Sequence, residues 1–378
     1  MSAWPDKYVI GLTGNIATGK SVVRKMLEHL GAYGIDADAL GHRAMAKGAP
    51  GYQPIIDNFG KWILNADGQV NRAKLARIIF PDPEALTTLE EILHPLIRQA
   101  IDLLINRANH KVIVIEAIKL LESSMNENCD AVWVTHAPQE IQMARLTQKR
   151  NMVAAAAQER IVAQGSQAYK MKAADILIEN TGSFEKTWEQ VLGAWNDSVT
   201  IEKVAPEEEI VEISPAGFSV ERAGPGAASE IARFITSASQ GQLSLTRTDI
   251  MAAFGEKAFV LLRHGSNVIG VMGWQVENLI ARVDDVFLLP GDTLEDAIET
   301  MIKEVEEASY DLQCEAAMLF LPPKLARHKK IWKDLGYATQ SVKLLSVRAW
   351  QEAATESMPP GTVLLFKKLR KNRVLRPV

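Results

Sequence analysis

This chain is poor in cysteine and in net charge, and it lacks long apolar runs. Its only cysteines, Cys129 and Cys314, lie far apart in sequence. A disulfide framework is therefore excluded, and free buried thiols in a reducing cytoplasm are the expected state. No apolar run is long enough to span a bilayer, so no membrane partner is expected. Met1 to Lys7 lead straight into a strand-like stretch, so no secretory leader is expected. The formal charge of −4 argues against broad electrostatic binding to nucleic acid. Internal repeats and low-complexity tracts are absent, and the composition is that of an ordinary globular protein. A chain of 378 residues is long for one core and suggests about two domains.

One stretch organises the first half. Gly14-Asn15-Ile16-Ala17-Thr18-Gly19-Lys20-Ser21 fits G-x-x-x-x-G-K-[ST], a phosphate-binding loop. Tyr8 to Thr13 before it reads as a buried strand, and an apolar-periodic helix starts at Ser21. Strand, glycine loop and helix together aim backbone N–H groups and a helix N-terminus at phosphate oxygens. All eight loop residues are expected to hold nucleotide. Lys20 reaches the β/γ phosphates, and Ser21 takes one place on Mg²⁺.

Two acids follow in Gly34-Ile35-Asp36-Ala37-Asp38, where a second strand ends. In parallel α/β sheets, ligand groups gather at the carboxyl ends of strands. A kinase needs a carboxylate there to orient an acceptor hydroxyl and take its proton. A helix N-cap is the competing role, because Asp38 directly precedes a helical stretch. The spacing leaves both roles open, one for each acid.

The stretch from Tyr52 to Arg107 is expected to be mostly helical, with His94-Pro95 opening a new helix. Such an insertion after the second strand suits acceptor binding, and Arg98 is one of its basic candidates. Lys111 to Glu116 reads as a buried strand ending in an acid, the position for a carboxylate on a Mg²⁺-bound water. Arg145 and Arg150 fall on helices after the next strand, where arginines form a lid over ATP and spread transition-state charge.

Taken in order, these blocks resemble the bacterial dephospho-coenzyme A kinase family over residues 8 to 199. The resemblance is carried by Gly11-Leu12-Thr13-Gly14 with the phosphate loop, Asp36-Ala37-Asp38, Asn58-Phe59-Gly60 and Ala66-Asp67-Gly68. It continues in Leu93-His94-Pro95-Leu96-Ile97, Gln142 with Arg145 and Arg150, Ala174-Asp175 and Asn180-Thr181-Gly182-Ser183. It implies a P-loop α/β fold with a helical acceptor part and a lid. It also implies transfer of the ATP γ-phosphoryl to the 3′-hydroxyl of dephospho-coenzyme A. The family's base falls on Asp38, its acceptor-side motif on His94 and its phosphate-side lid arginine on Arg145.

Three loop positions depart from the family's Gly-Gly-Ile-Gly-Ser-Gly-Lys-Ser. Asn15 and Ala17 replace glycines, and Thr18 replaces a serine. Asn tolerates left-handed backbone better than most residues; Ala does not. Lys119 stands where the family has Leu, beside the acceptor site, and is a candidate to hold a phosphate there. With Lys20, Ser21, Asp38 and Arg145 intact, activity is expected. The alternatives are a kinase of another nucleotide-like alcohol and a non-catalytic nucleotide sensor.

The division expected is residues 1–200 as the kinase part, 201–214 as an acidic linker and 215–378 as a second α+β domain. The order there of a strand, two helices, an antiparallel meander and helix-strand-helix-strand resembles the Gcn5-related acetyltransferase fold. Val342 to Val347 is expected as one of its closing strands. The pyrophosphate-holding Arg/Gln-x-x-Gly-x-Gly/Ala turn is missing. Leu289 to Asp296 stands in its place with an acid-rich helix start. A structural, pairing or regulatory role is expected, a second copy of the chain being the natural partner for pairing. The tail from Lys367 to Arg376 is basic and expected to be solvated.

Overall fold

The apolar run at Tyr8–Thr13 becomes β1, buried from Val9 to Thr13, as a strand covered on both faces must be. The computed structural model describes residues 3–149, 152–199, 217–289, 291, 294–371 and 374–375. The expected linker at 201–214 and Arg150 lie outside them. After β1 come α1 (Lys20–His29), β2 (Ala32–Asp36), α2 (Ala37–Ala44), α3 (Tyr52–Phe59), α4 (Arg72–Ile79) and α5 (Pro83–Arg107). Next are β3 (Val112–Glu116), β4 (Ala131–His136), α6 (Gln139–Ala144), α7 (Ala154–Val162), α8 (Gln167–Lys172), β5 (Ile176–Glu179) and α9 (Phe184–Ser198). The chain divides into two compact units, Met1–Lys20 with Ala32–Glu179 and Lys371–Val378, and Ser21–Gly31 with Asn180–Arg370.

The first unit is built on a parallel sheet in the order β2-β3-β1-β4-β5. All five residues of β3 are buried, the near-continuous apolar strand that a doubly covered parallel sheet demands. Beside it, Leu75, Ile79, Leu89 and Leu93 of α4 and α5 pack with Ile55 of α3 and Ala44 of α2. Asp82 caps α5 by accepting the Glu84 and Ala85 amides, and Pro83 takes its first turn.

Two expectations fail in this unit. His94-Pro95 does not open a helix; Pro95 lies inside the single helix α5. Buried Leu89 and Leu93 before it and Ala100, Ile101 and Leu104 after it hold one helical face across the missing N–H. The tail is not simply solvated. Val374 is buried, and Leu375 packs against the α2–α5 cluster.

The second unit continues with β6 (Phe218–Ala223), α10 (Ala228–Ala238), α11 (Arg247–Ala253), β7 (Ala258–His264), β8 (Asn267–Glu277) and β9 (Ile280–Leu288). It closes with α12 (Leu294–Asp311), β10 (Ala316–Leu321), α13 (Pro323–Ala326), α14 (Lys329–Asp334), β11 (Ala338–Thr339), α15 (Arg348–Ser357) and β12 (Val363–Lys368). Its sheet runs β11-β12-β10-β9-β8-β7-β6, antiparallel except for the β9–β10 pair. This is the mixed α+β arrangement expected of the second half.

Strand alternation sorts its core. Val260, Leu262, Leu319 and Leu321 face α12 through Ile298, Met301 and Val305. Phe259 and Leu261 face α10 and α11 through Ile231, Ile235 and Phe254. Helix α1 belongs here, and His29 Nε2 lies 2.8 Å from the Phe254 carbonyl. Val342 to Val347 is not a strand. Val342–Leu344 is a short 3-10 turn leading into α15, whose buried Trp350 and Ala354 pack with Leu345 under Met318, Phe320 and Leu364. A short apolar run does not by itself separate strand from helix.

Candidate active site

The phosphate loop leaves β1 at Thr13 and runs hard against β4. A Cβ on Gly14 would sit 2.5 Å from the Thr135 carbonyl, so only glycine fits there. The Thr18 hydroxyl lies 2.7 Å from Thr135 Oγ1 and donates to Asn15 O at 2.8 Å, tying the loop back on itself. Of the two glycine replacements, Ala17 carries the strain, with φ of 59°. Lys20 is buried and donates to Asn15 O at 3.4 Å. Burial pulls its ammonium below the ordinary lysine range, against the carboxylates of Glu116, Asp38 and Asp36. Ser21 follows it in the first turn of α1.

Only one of the two acids caps the helix. Helix α2 starts at Ala37, and Asp36 is its N-cap, with Oδ1 accepting the Ala39 amide at 2.8 Å. Asp38 is left in the first turn, where its Oδ2 accepts the Ile118 N–H at 3.1 Å. Burial raises its carboxyl above the usual range, while Lys20, the Ile118 N–H and Lys170 act the other way. Glu116 is buried where β3 ends, in register with Asp36 on β2.

Arg145 reaches the loop, donating from Nη1 to Ala17 O at 2.9 Å. The acceptor-side candidates are more open. His94 and Arg98 are exposed on α5, the helix that packs on α2 where Ile97 meets Gly41. Lys119 is exposed and paired with Glu90 of α5 at 2.6 Å.

Three residues that touch the site lie beyond what the sequence signalled. The Oε1 atoms of Gln164 and Gln167 accept the Ile16 and Asn15 amides at 2.5 and 3.0 Å. Gln167 also donates to Thr135 O at 3.0 Å, and Asn15 Nδ2 donates to Gly165 O at 3.0 Å. The third is Lys170 on α8, buried and bonded to the Ile118 carbonyl. Basic residues on this segment are visible in the sequence, but nothing local distinguishes Lys170 from Lys172.

Mg²⁺ at phosphate-transfer sites takes one or two carboxylates, with phosphate oxygens and waters completing its shell. Glu116 and the hydroxyl-bearing Ser21 suit that donor chemistry. Among the described residues, no group of three or more His, Cys, Asp or Glu could hold a metal ion.

A parallel sheet, a glycine loop with buried Lys20 and a carboxylate at the neighbouring strand end define a P-loop phosphotransferase. The dephospho-CoA kinase family profile matches residues 8–186. A dephospho-CoA kinase of Carboxydothermus hydrogenoformans is 41% identical over 187 residues, covering 49% of this chain and 91% of the relative. The chain belongs to the dephospho-CoA kinase family. Among solved structures, the dephospho-CoA kinase from Campylobacter jejuni is 28% identical with a TM-score of 0.38, over 50% of this chain and 96% of that one. A GNAT-family acetyltransferase from Staphylococcus aureus is 11% identical with a TM-score of 0.32, over 40% of this chain and 99% of that one. No helix among the described residues is long and apolar enough to cross a membrane.

Proposed function

We propose that the chain transfers the γ-phosphoryl group of ATP to the 3′-hydroxyl of dephospho-coenzyme A. The products are coenzyme A and ADP. Family membership carries the substrates. The observation that carries the residue roles is the electrostatic grouping of buried Lys20 and Glu116 with partly buried Asp38, at the starts of α1 and α2 and the end of β3.

In this reading Asp38 accepts the hydroxyl proton as the 3′-oxygen bonds to the γ-phosphorus. The bond from that phosphorus to the bridging oxygen breaks, and ADP leaves with the electron pair. Burial makes Asp38 a better base than a surface carboxylate. The loop Gly14 to Ser21 cradles the phosphates, and Lys20 and Arg145 spread the charge on the transferring group. Ser21 and Glu116 would hold Mg²⁺, which would supply neutralisation of the phosphate charge. His94, Arg98 and Lys119 are assigned to the acceptor side and Arg150 to the nucleotide lid.

Residues 1–200 act as the kinase part, joined by 201–214 to a second part, 215–378. The second part serves a structural, pairing or regulatory role. Its helix α12 opens with Glu295 and Asp296, which repel a pyrophosphate.

The test is ADP release with ATP and Mg²⁺ over a panel of nucleotide-like alcohols. Turnover of dephospho-coenzyme A above the rest is expected. Turnover of another alcohol with dephospho-coenzyme A untouched overturns the substrate, and tight ATP binding without ADP release overturns the activity.

A further inference from the structure

Ile118 lies two residues beyond Glu116 in sequence and is held from three directions. Its N–H donates to Asp38 at 3.1 Å. Its carbonyl accepts from Thr13 Oγ1 at 3.2 Å and from the Lys170 ammonium. Thr13 is the last residue before the phosphate loop, and Lys170 comes from α8. A residue held at both peptide ends has little freedom to turn its amide away from the carboxylate it serves.

Lys170 is an unusual side chain to find in that position. It is 1% exposed, although lysine is almost never fully buried without a partner. Its partners are the Ile118 carbonyl and, at 3.5 Å, Glu122. Asp38 also acts on it electrostatically, and Lys119 opposes its charge. The segment that carries it is fastened to the phosphate loop by Gln164 and Gln167. One run of chain therefore touches both the nucleotide-binding loop and the residue that orients Asp38.

We infer that Lys170 is a positioning residue for phosphoryl transfer, holding Ile118 so that its amide fixes the Asp38 carboxylate toward the acceptor hydroxyl. The inference rests on Asp38 being the base. It requires that Lys170 act through Asp38 and not as a separate contact to either substrate.

The experiment is a double-mutant cycle in the full chain with Lys170→Met, Asp38→Asn and their combination, plus Lys170→Arg. Initial rates are measured at saturating Mg²⁺ while ATP and dephospho-coenzyme A are varied. Lys170→Met should lower kcat by about 10–100-fold, the range for loss of a group that orients a reactive residue, and leave KM for ATP nearly unchanged. Lys170→Arg, which keeps a cation with N–H donors at that position, should recover part of that loss. On the Asp38→Asn background, Lys170→Met should cost almost nothing more, because residues acting as one unit are non-additive. Independent, additive losses would overturn the inference, as would a fall in thermal stability with kcat unchanged. A near-normal rate for Asp38→Asn would instead sink the assignment of the base, whatever Lys170 does.

Discussion

Gln167 accepts the backbone N–H of Asn15 at 3.0 Å, so a side chain from α8 occupies an amide at the start of the phosphate loop. Gln164 does the same for Ile16. A neutral hydrogen bond of this kind is worth about 1 kcal/mol net. Gln167→Ala should therefore speed amide exchange at Asn15 by about fivefold, the equivalent of that energy. Hydrogen exchange followed by NMR on the full chain reads it out. Unchanged exchange at Asn15 would mean that the bond adds nothing to loop order.

Lys20 sits among Glu116, Asp38 and Asp36, whose charges act on it within a buried site. Lys20→Ala removes the cation meant for the transferring phosphoryl group. The turnover number should fall by about 10²–10³, as for loss of one preorganised charge donor. Steady-state kinetics at saturating ATP separates this from weakened binding. An unchanged kcat would remove Lys20 from the chemistry.

Ala17 holds a left-handed φ of 59° where the family carries glycine. That conformation costs an L-residue about 1–2 kcal/mol. Glycine returns part of the gain as greater entropy of the unfolded chain, about 0.5–1 kcal/mol. Ala17→Gly should thus stabilise the protein by up to about 1 kcal/mol. An upward shift of the denaturation midpoint at constant slope would register the gain, whereas a lower midpoint would show that the methyl group is a useful contact.

His29 is pulled down to about 4 by burial, aided by Lys25 and opposed by Glu28 and the Phe254 carbonyl. Its folded value lies below the ordinary 6.5, so the unfolded chain binds the extra proton between those pH values. The stabilisation is complete above about 6.5 and is lost as pH falls toward 4. His42, also held near 4 by burial beside Arg72, adds to the same slope. His29→Gln should lose less thermal stability than the parent between neutral pH and pH 5. Parallel pH profiles for the two proteins would refute the assignment.

The phosphate loop was legible because its chemistry is local. Its donors are the amides of consecutive residues, and its glycines mark where the backbone must turn or approach closely. The pair Asp36 and Asp38 was half legible. Both acids were visible at a strand end, but the start of α2 decided which one caps the helix. The reading of α5 went wrong at Pro95 because local proline rules predict a start, while an apolar face running past it favours one continuous helix. The stretch after Val342 went wrong because its few apolar residues suit either a strand or the turn and helix they form.

The sequence by itself determined the kinase class, because a nucleotide-binding loop and the acid after the next strand are short-range patterns. Only the tertiary structure decided that Gln164 meets Ile16 across 148 residues of chain, and that Lys170 shares Ile118 with Asp38 across 52 and 80. Such contacts depend on where whole helices pack on the sheet. Packing sums many weak apolar contacts over the unit, so no short stretch of sequence contains it.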